Sequence, residues 1–199
     1  MLACPDKEKG KVCVKIYGKD GTDQASIHNI LEAHNSQLSC LTVNFDGTLL
    51  ATASEKGTII RLYSPHTGDL LQELRRGSDK AELYSIAIDV KTKWLGCTSD
   101  KGTVHIFSIQ KLGLSREDAG EEDEERKVKA PAGTKNHKHM FKFMKRISKY
   151  FDSEWSFAKF RVTDSRTLCT FDKEENLIVV SAEGTYYRAS IDHAHGGDC

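Results

Sequence analysis

"EKGTIIRLYS" (55–64), "DKGTVHIFSI" (100–109) and "AEGTYYRASI" (182–191) each contain a Gly-Thr pair followed by a run of strand-like character. Each follows a short apolar run, "LLATAS", "LGCTS" or "LIVVS", and "KEKGKVCVKIY" (7–17) is a degenerate fourth copy. A glycine between two such runs is typical of a β-hairpin turn, because hairpin turns need residues that tolerate a positive φ. The chain therefore contains a repeated hairpin unit.

The spacing of the repeats indicates the fold. The repeat glycines Gly10, Gly57, Gly102 and Gly184 lie 47, 45 and 82 residues apart. The first two intervals match the roughly 40 to 45 residues of a four-stranded propeller blade, and the third fits one blade with an insertion. Further β-like runs at 38–45, 83–90 and 155–162 are each expected to be the first strand of the next unit. The sequence predicts an all-β, WD-repeat β-propeller.

The chain is short for a closed ring. Seven blades would take roughly 300 residues, whereas about 155 remain here without the insertion. We therefore expect a single partial propeller domain over residues 1–199, with about four of seven blades. An open arc leaves strand edges and blade faces uncovered. Either the chain is a fragment or truncated product, or another chain completes it.

The insertion, residues 110–152, has two unlike halves. Residues 116–126 are acidic, whereas residues 135–151 carry six basic side chains and no acidic one. A basic amphipathic segment is typical of an anchor in the membrane interface. The alternative is a linker that buries its aromatic side chains against the propeller. The side chains expected to enter a membrane are Met140, Phe141, Phe143, Met144, Ile147, Tyr150 and Phe151.

"LQELRRGSDK" (71–80) places Arg75 beside Arg76. Successive side chains of a strand point to opposite faces, so the two arginines are predicted to serve two separate anion sites. A phosphate held by one guanidinium needs further donors. The alternative is a solvated pair on an edge strand, with hydroxyl groups that make only local hydrogen bonds. The nearby donors are Thr52, Ser54 and Thr58 upstream, and Thr98, Ser99, Thr103 and His105 downstream.

Composition and motifs exclude several classes of function. The 29 basic and 29 acidic residues cancel, which argues against a protein that coats nucleic acid. There is no long apolar run and no signal peptide, so we expect a cytoplasmic, at most peripherally membrane-bound protein. No nucleotide-binding or hydrolase motif is present, and the histidine pairs lack a four-ligand spacing, so we expect no enzyme activity, cofactor or metal.

Several separated motifs, "ELRRGS", "ATASEKGTIIRLY", "SDKGTVHIF" and "YFDSEWSFAKFRV", resemble the PROPPIN family, the WD-repeat proteins interacting with phosphoinositides, most closely its WIPI-3/WIPI-4-like branch. The family signature falls on Leu74, Arg75, Arg76 and Gly77. The resemblance implies a seven-bladed propeller that binds phosphatidylinositol 3-phosphate and phosphatidylinositol 3,5-bisphosphate in autophagy. It also implies a location on autophagosomal precursor or endolysosomal membranes.

The resemblance also places two binding sites, by position. The first anion site would comprise His34, Thr52, Ser54, Thr58 and Arg75. The second anion site would comprise Arg76, Ser99, Thr103 and His105, with Thr98 beside it. If His105 contacts phosphate, its protonation would tighten binding toward pH 6.

The insertion matches the family's membrane-facing loop in blade six. The blades through which relatives engage autophagy proteins are not matched, so that partner binding is not carried over. The alternatives to lipid binding are a protein-interaction scaffold and a non-functional truncation product.

Overall fold

The computed structural model describes residues 1–18, 25–112, 114, 153–164, 166–192 and 195–198. Within these ranges the chain forms four β-sheets, and its one helical element is the 3₁₀ turn Gln110–Leu112. None of the helical structure in these ranges is long and apolar enough to cross a bilayer. The predicted all-β fold is confirmed, with four sheets for the four expected blades. The residues expected to enter the membrane, Met140 to Phe151, lie outside the described residues.

The first and second sheets are antiparallel meanders. The first has the order β1-β2-β3. Its strands are β1 (Leu2–Pro5), β2 (Lys11–Tyr17) and β3 (Ala25–Glu32). The second has the order β4-β5-β6-β7, and β11 adds to β7 as a parallel fifth strand. Its strands are β4 (Leu38–Val43), β5 (Leu50–Ser54), β6 (Ile59–Tyr63), β7 (Leu70–Arg75) and β11 (Glu154–Trp155).

The third sheet has the order β8-β9-β10-β12, with β16 as a parallel fifth strand, and the fourth has the order β13-β14-β15. The strands of the third sheet are β8 (Leu83–Ile88), β9 (Trp94–Ser99), β10 (Thr103–Ser108), β12 (Ala158–Arg161) and β16 (Gly197–Asp198). The strands of the fourth are β13 (Thr167–Phe171), β14 (Leu177–Ser181) and β15 (Tyr186–Ala189).

The sheets stack face to face in chain order, with a separate apolar core at each junction. Val12 and Leu31 of the first sheet pack with Leu50 of the second. Leu62 and Leu74 of the second sheet pack with residues of the third, including Phe107, and the third packs in turn on the fourth. Successive residues of a central strand therefore pack into cores on opposite faces of its sheet. Because both faces are covered, β5 and β9 are nearly continuous apolar runs.

The repeat glycines lie in hairpin turns, as the sequence predicts, and all four have a positive φ. Gly57 (φ 58°) also approaches the chain that leads into the next sheet. A Cβ there would lie 1.9 Å from the carbonyl oxygen of Ala81. Gly102 faces the carbonyl oxygen of Val162 in the same way. The repeat therefore encodes close contact between backbones as well as a turn.

One sequence-based assignment is wrong. Residues 155–162 were expected to begin the fourth unit, but β12 is the last of the four antiparallel strands of the third sheet, in register with β10. The first strand of the fourth sheet is β13. The insertion separates two strands of one sheet, so position along the chain no longer indicates which sheet a strand joins. The runs at 38–45 and 83–90 do begin the second and third sheets, as β4 and β8.

Candidate anion-binding site

The side chains of Arg75 and Arg76 reach opposite faces of the second sheet. Leu74, the preceding residue of β7, lies in the core shared with the third sheet, so Arg75 points away from that core. The Nε of Arg75 donates to the Oγ of Ser153 at 3.0 Å. Arg76 follows the strand and lines a cleft formed with residues of the third sheet. The two guanidinium groups therefore belong to different surroundings, although both side chains are buried.

Arg76 is held by backbone carbonyl groups. Its Nε donates to the carbonyl oxygen of Gly57 at 2.7 Å, and its Nη2 donates to that of Asp79. Its own backbone N–H donates to Thr58 at 3.0 Å. These contacts orient the guanidinium through neutral acceptors, so its positive charge is retained in the cleft. A charge that is positioned but not neutralised by a carboxylate is suited to binding an anion.

The cleft beside Arg76 has a volume of about 670 Å³ and an excess of positive charge. It contains four basic side chains and the single acidic residue Asp79. The predicted residues that it includes are Arg76, Gly77, Thr103 and His105. The residues that sequence reasoning did not identify include Lys101, Lys159, Arg161 and Trp155.

Strand pairing brings two of these additional cations to the predicted residues. Lys159 of β12 pairs with His105 of β10, and Arg161 pairs with Thr103. Directly paired residues of adjacent strands project on the same face, so Lys159 and Arg161 face the cleft beside their partners. The alternation of apolar and basic residues in "AKFR" (158–161) indicates that Lys159 and Arg161 share one face of a strand. Because this run was assigned to the next unit, the sequence did not predict that these two residues line the cleft.

Two predicted members of the second anion site are placed differently. The Thr98 hydroxyl donates to the carbonyl oxygen of Thr167 at 2.7 Å, so Thr98 faces the fourth sheet. Cys97, the preceding residue of β9, lies in the core between the second and third sheets. Adjacent side chains of a strand point to opposite faces, so Thr98 points away from the second sheet and from Arg76. Ser99 is buried, and its Oγ accepts a hydrogen bond from the backbone of Lys101 at 3.4 Å. Its contact therefore supports the turn at the edge of the cleft.

The predicted first anion site includes a contact between two of its members. His34 Nε2 and Thr52 Oγ1 are 3.0 Å apart, whereas Arg75 contacts Ser153. Ser54 is buried and Thr58 is half-buried. A cavity on this side of the second sheet, about 770 Å³, is lined by other described residues. It contains Arg61, which pairs with Glu73 at 2.6 Å, together with two further glutamates, so its charge does not favour an anion.

Burial controls the titration of both predicted histidines. Burial, followed by the positive charges of Arg76 and Lys159, lowers the pKa of His105 to about 4. Burial also lowers the pKa of His34 to about 4, with Arg61 as the next cause. Both imidazoles are therefore neutral at pH 6. The expectation that protonation of His105 tightens binding toward pH 6 concerns the complex with a phosphate, so it stays a prediction.

Comparison with known proteins identifies the family. The PROPPIN family model matches residues 9–199. Autophagy-related protein 18e of Arabidopsis thaliana is 34% identical over 199 residues, which is 99% of this chain and 47% of that protein.

Two solved structures share the fold. Kluyveromyces lactis Hsv2 with a complete loop 6CD has a TM-score of 0.67 at 20% identity, over 96% of this chain and 54% of that one. KlAtg21 in complex with the coiled coil of AgAtg16 has a TM-score of 0.56 at 20% identity, over 95% and 52% of the two chains. This chain thus spans about half the length of the proteins it resembles. Since the family model covers nearly all of it, the chain belongs to the PROPPIN family.

Proposed function

We propose that this chain is a non-enzymatic effector that binds phosphatidylinositol 3-phosphate and phosphatidylinositol 3,5-bisphosphate and is recruited to membranes in autophagy. The observation that carries the proposal is the cleft in which Arg76, Lys101, Lys159 and Arg161 converge around Thr103 and His105. Membership of a family that includes autophagy-related proteins supports the cellular role.

The chemistry of the cleft suits a phosphorylated headgroup. A phosphate monoester carries up to two negative charges and presents several acceptor oxygens, and the cleft offers guanidinium and ammonium donors together with a threonine hydroxyl. Arg76 is already oriented by Gly57, so little side-chain freedom is lost on binding. The additional cations on β12 provide charge for a second phosphate group.

Arg75 belongs to the other headgroup site of the proposal, the first anion site. It lies on the other face of the same sheet, next to the hydroxyl group of Ser153. Two sites on one sheet allow two lipids to be bound at once, and modest individual affinities then give stable recruitment. The basic residues of the insertion would add attraction to anionic lipid, about 1 kcal/mol for each one near the surface. The protein would then act in the cytoplasm, at autophagosomal precursor or endolysosomal membranes.

Liposome flotation tests the proposal. Vesicles containing phosphatidylinositol 3-phosphate should carry the wild-type chain upward, whereas Arg75→Thr/Arg76→Thr should remain at the bottom of the gradient. The matched control is Lys7→Thr/Lys173→Thr, which removes the same charge from two exposed lysines. Circular dichroism melting establishes that each variant is folded. Flotation of a folded arginine double variant at the wild-type level would exclude the proposal.

A protein-interaction scaffold is the second candidate. The observation in its favour is that one solved neighbour is a complex of KlAtg21 with a coiled coil. A scaffold would bind its partner with the arginine pair replaced, and it would not float with phosphoinositide vesicles. Flotation of the wild-type chain therefore distinguishes the two candidates.

A further inference from the structure

Four residues that follow the insertion contact both arginine environments. We call Ser153, Glu154, Trp155 and Ser156 the return segment, because they lead the chain from the insertion back into β12. Glu154 and Trp155 form β11, which pairs in parallel with Leu74 and Arg75 of β7. The segment then enters the third sheet through Phe157, whose N–H donates to Ile106 at 2.7 Å. It therefore spans the boundary between the second and third sheets, where the arginines diverge.

Each site receives a different side chain from this segment. The Oγ of Ser153, which is only 5% exposed, accepts a hydrogen bond from Arg75. Trp155 lines the cleft that contains Arg76. The Oγ of Ser156 lies 3.3 Å from Nδ1 of His105, whose ring lines the same cleft. The two serines, three positions apart, thus contact one predicted residue of each anion site.

An ion pair holds the segment in place. Both carboxylate oxygens of Glu154 lie 2.8 Å from Nζ of Lys111, in the 3₁₀ turn at the start of the insertion. The two ends of the insertion are therefore joined directly at the sheets. The backbone pairing of β11 restricts the segment further. A hydroxyl group held in this way is pre-organised, so it loses little freedom when a ligand binds.

We propose that the return segment is a wall common to both anion sites, with Ser153 as a headgroup ligand in the first and Ser156 as a positioning residue for His105 in the second. This inference rests on the proposed function. A serine hydroxyl both donates and accepts, so Ser153 can bridge the Arg75 guanidinium and a phosphate oxygen. Ser156 acts through the imidazole, because it fixes the orientation of the ring beside Arg76 and Lys159.

Single-site backgrounds separate the two roles. Binding of soluble dibutanoyl phosphatidylinositol 3-phosphate is measured by isothermal titration calorimetry, which removes any contribution of membrane insertion. In an Arg76→Thr background, which retains the first site, Ser153→Ala should weaken binding by about three- to tenfold, the usual effect of one hydrogen bond. In an Arg75→Thr background the same change should have no effect. Ser156→Ala should weaken binding in the Arg75→Thr background and have no effect in the Arg76→Thr background.

Three further variants complete the design. Ser156→Thr keeps the hydroxyl group and should restore binding in the Arg75→Thr background, which a loss of packing alone would not produce. The matched control is Ser190→Ala, which removes an exposed serine hydroxyl and should be silent in both backgrounds. Replacement of Trp155 by Phe should abolish the change in tryptophan fluorescence on binding in the Arg75→Thr background, because the other tryptophan, Trp94, is fully buried in the core.

The outcomes distinguish this inference from the proposed function. If the short-chain lipid binds in an arginine-dependent manner, but either serine variant is silent in both backgrounds or equally damaging in both, the shared wall is wrong and the lipid-binding proposal stands. If the wild-type chain does not bind the lipid, the proposed function fails and this inference fails with it.

Discussion

Arg75 and Arg76 are consecutive residues whose guanidinium groups lie on opposite sides of one sheet: Arg75 donates to Ser153, and Arg76 donates to the carbonyl of Gly57. A single peptide bond therefore connects two candidate binding sites. Because the second sheet is packed between two others, the relative positions of the two guanidinium groups are set by the core rather than by a loop. Rigid spacing of this kind favours simultaneous binding of two headgroups on one membrane surface.

The cations on β12 should contribute to headgroup binding. We expect Lys159→Met or Arg161→Met to weaken binding of dibutanoyl phosphatidylinositol 3,5-bisphosphate about two- to fivefold, because exposed charges each contribute about 0.2–1 kcal/mol. The dependence of affinity on salt should become shallower in both variants. Calorimetry at two salt concentrations measures both effects. Lys173→Met, on an exposed lysine outside the cleft, is the control; an equal loss in that variant would indicate a non-specific charge effect.

Acid should destabilise the fold through its buried histidines. His34 and His105 have pKa values of about 4 in the folded chain and an ordinary value near 6.5 when unfolded, so the unfolded chain binds more protons between these values. The free energy of unfolding should be unaffected by these groups above about pH 7 and should fall as the pH decreases from 6.5 toward 4. Urea titrations at several pH values measure this slope. His105→Gln should reduce the slope, and an unchanged slope would show that His105 is not buried as described.

Anion binding should respond to pH in the direction set by the same histidine. The imidazole of His105 should gain a proton more readily when a phosphate is present, so its contribution to affinity should rise as the pH falls toward 4, with little change between pH 7 and 8. Calorimetric titrations with the soluble lipid at four pH values test this. His105→Gln should flatten the profile, and a profile that remains steep in this variant would assign the effect to another group.

Gly57 should be the most sensitive of the repeat glycines near the cleft. Alanine at this position requires a positive φ and places a Cβ 1.9 Å from a backbone oxygen that cannot move without shifting the entry to the third sheet. We expect Gly57→Ala to lower the melting temperature strongly and to weaken binding by displacing Arg76. Gly184 also has a positive φ, but a Cβ there would meet no atom within 4 Å. The loss of stability in Gly184→Ala therefore measures the cost of backbone strain alone. Equal losses in the two variants would contradict the importance of the close contact.

Substitution of Gly77, unlike that of Gly57, should weaken binding without lowering the melting temperature. A Cβ at Gly77 would meet nothing within 4 Å in the free chain, and Gly77 is absent from the positive-φ glycines. Gly77→Ala should therefore leave the melting temperature unchanged. Because Gly77 lines the cleft, the added methyl group should weaken binding of the soluble lipid in an Arg75→Thr background. If this variant binds the lipid as tightly as the Arg75→Thr parent, the headgroup does not contact Gly77.

Much of this architecture follows from local sequence. Hairpin turns require a positive φ, so the spacing of Gly10, Gly57 and Gly102 along the chain is sufficient to predict repeated sheets. Strand alternation likewise predicts that Arg75 and Arg76 diverge, because it depends only on backbone geometry. These features depend only on residues that are close in the chain, so they can be predicted from the sequence.

Contacts between distant residues were decided by the tertiary structure. The insertion breaks the regular spacing, so only pairing of β12 with β10 shows that Lys159 and Arg161 join the cleft and that residues 155–162 complete the third sheet. Packing against the fourth sheet turns Thr98 toward Thr167, away from Arg76. Burial among cations keeps His105 neutral, although an isolated histidine titrates near pH 6.5. Register, burial and neighbouring charge depend on which sheets pack together, and no stretch of sequence specifies that alone.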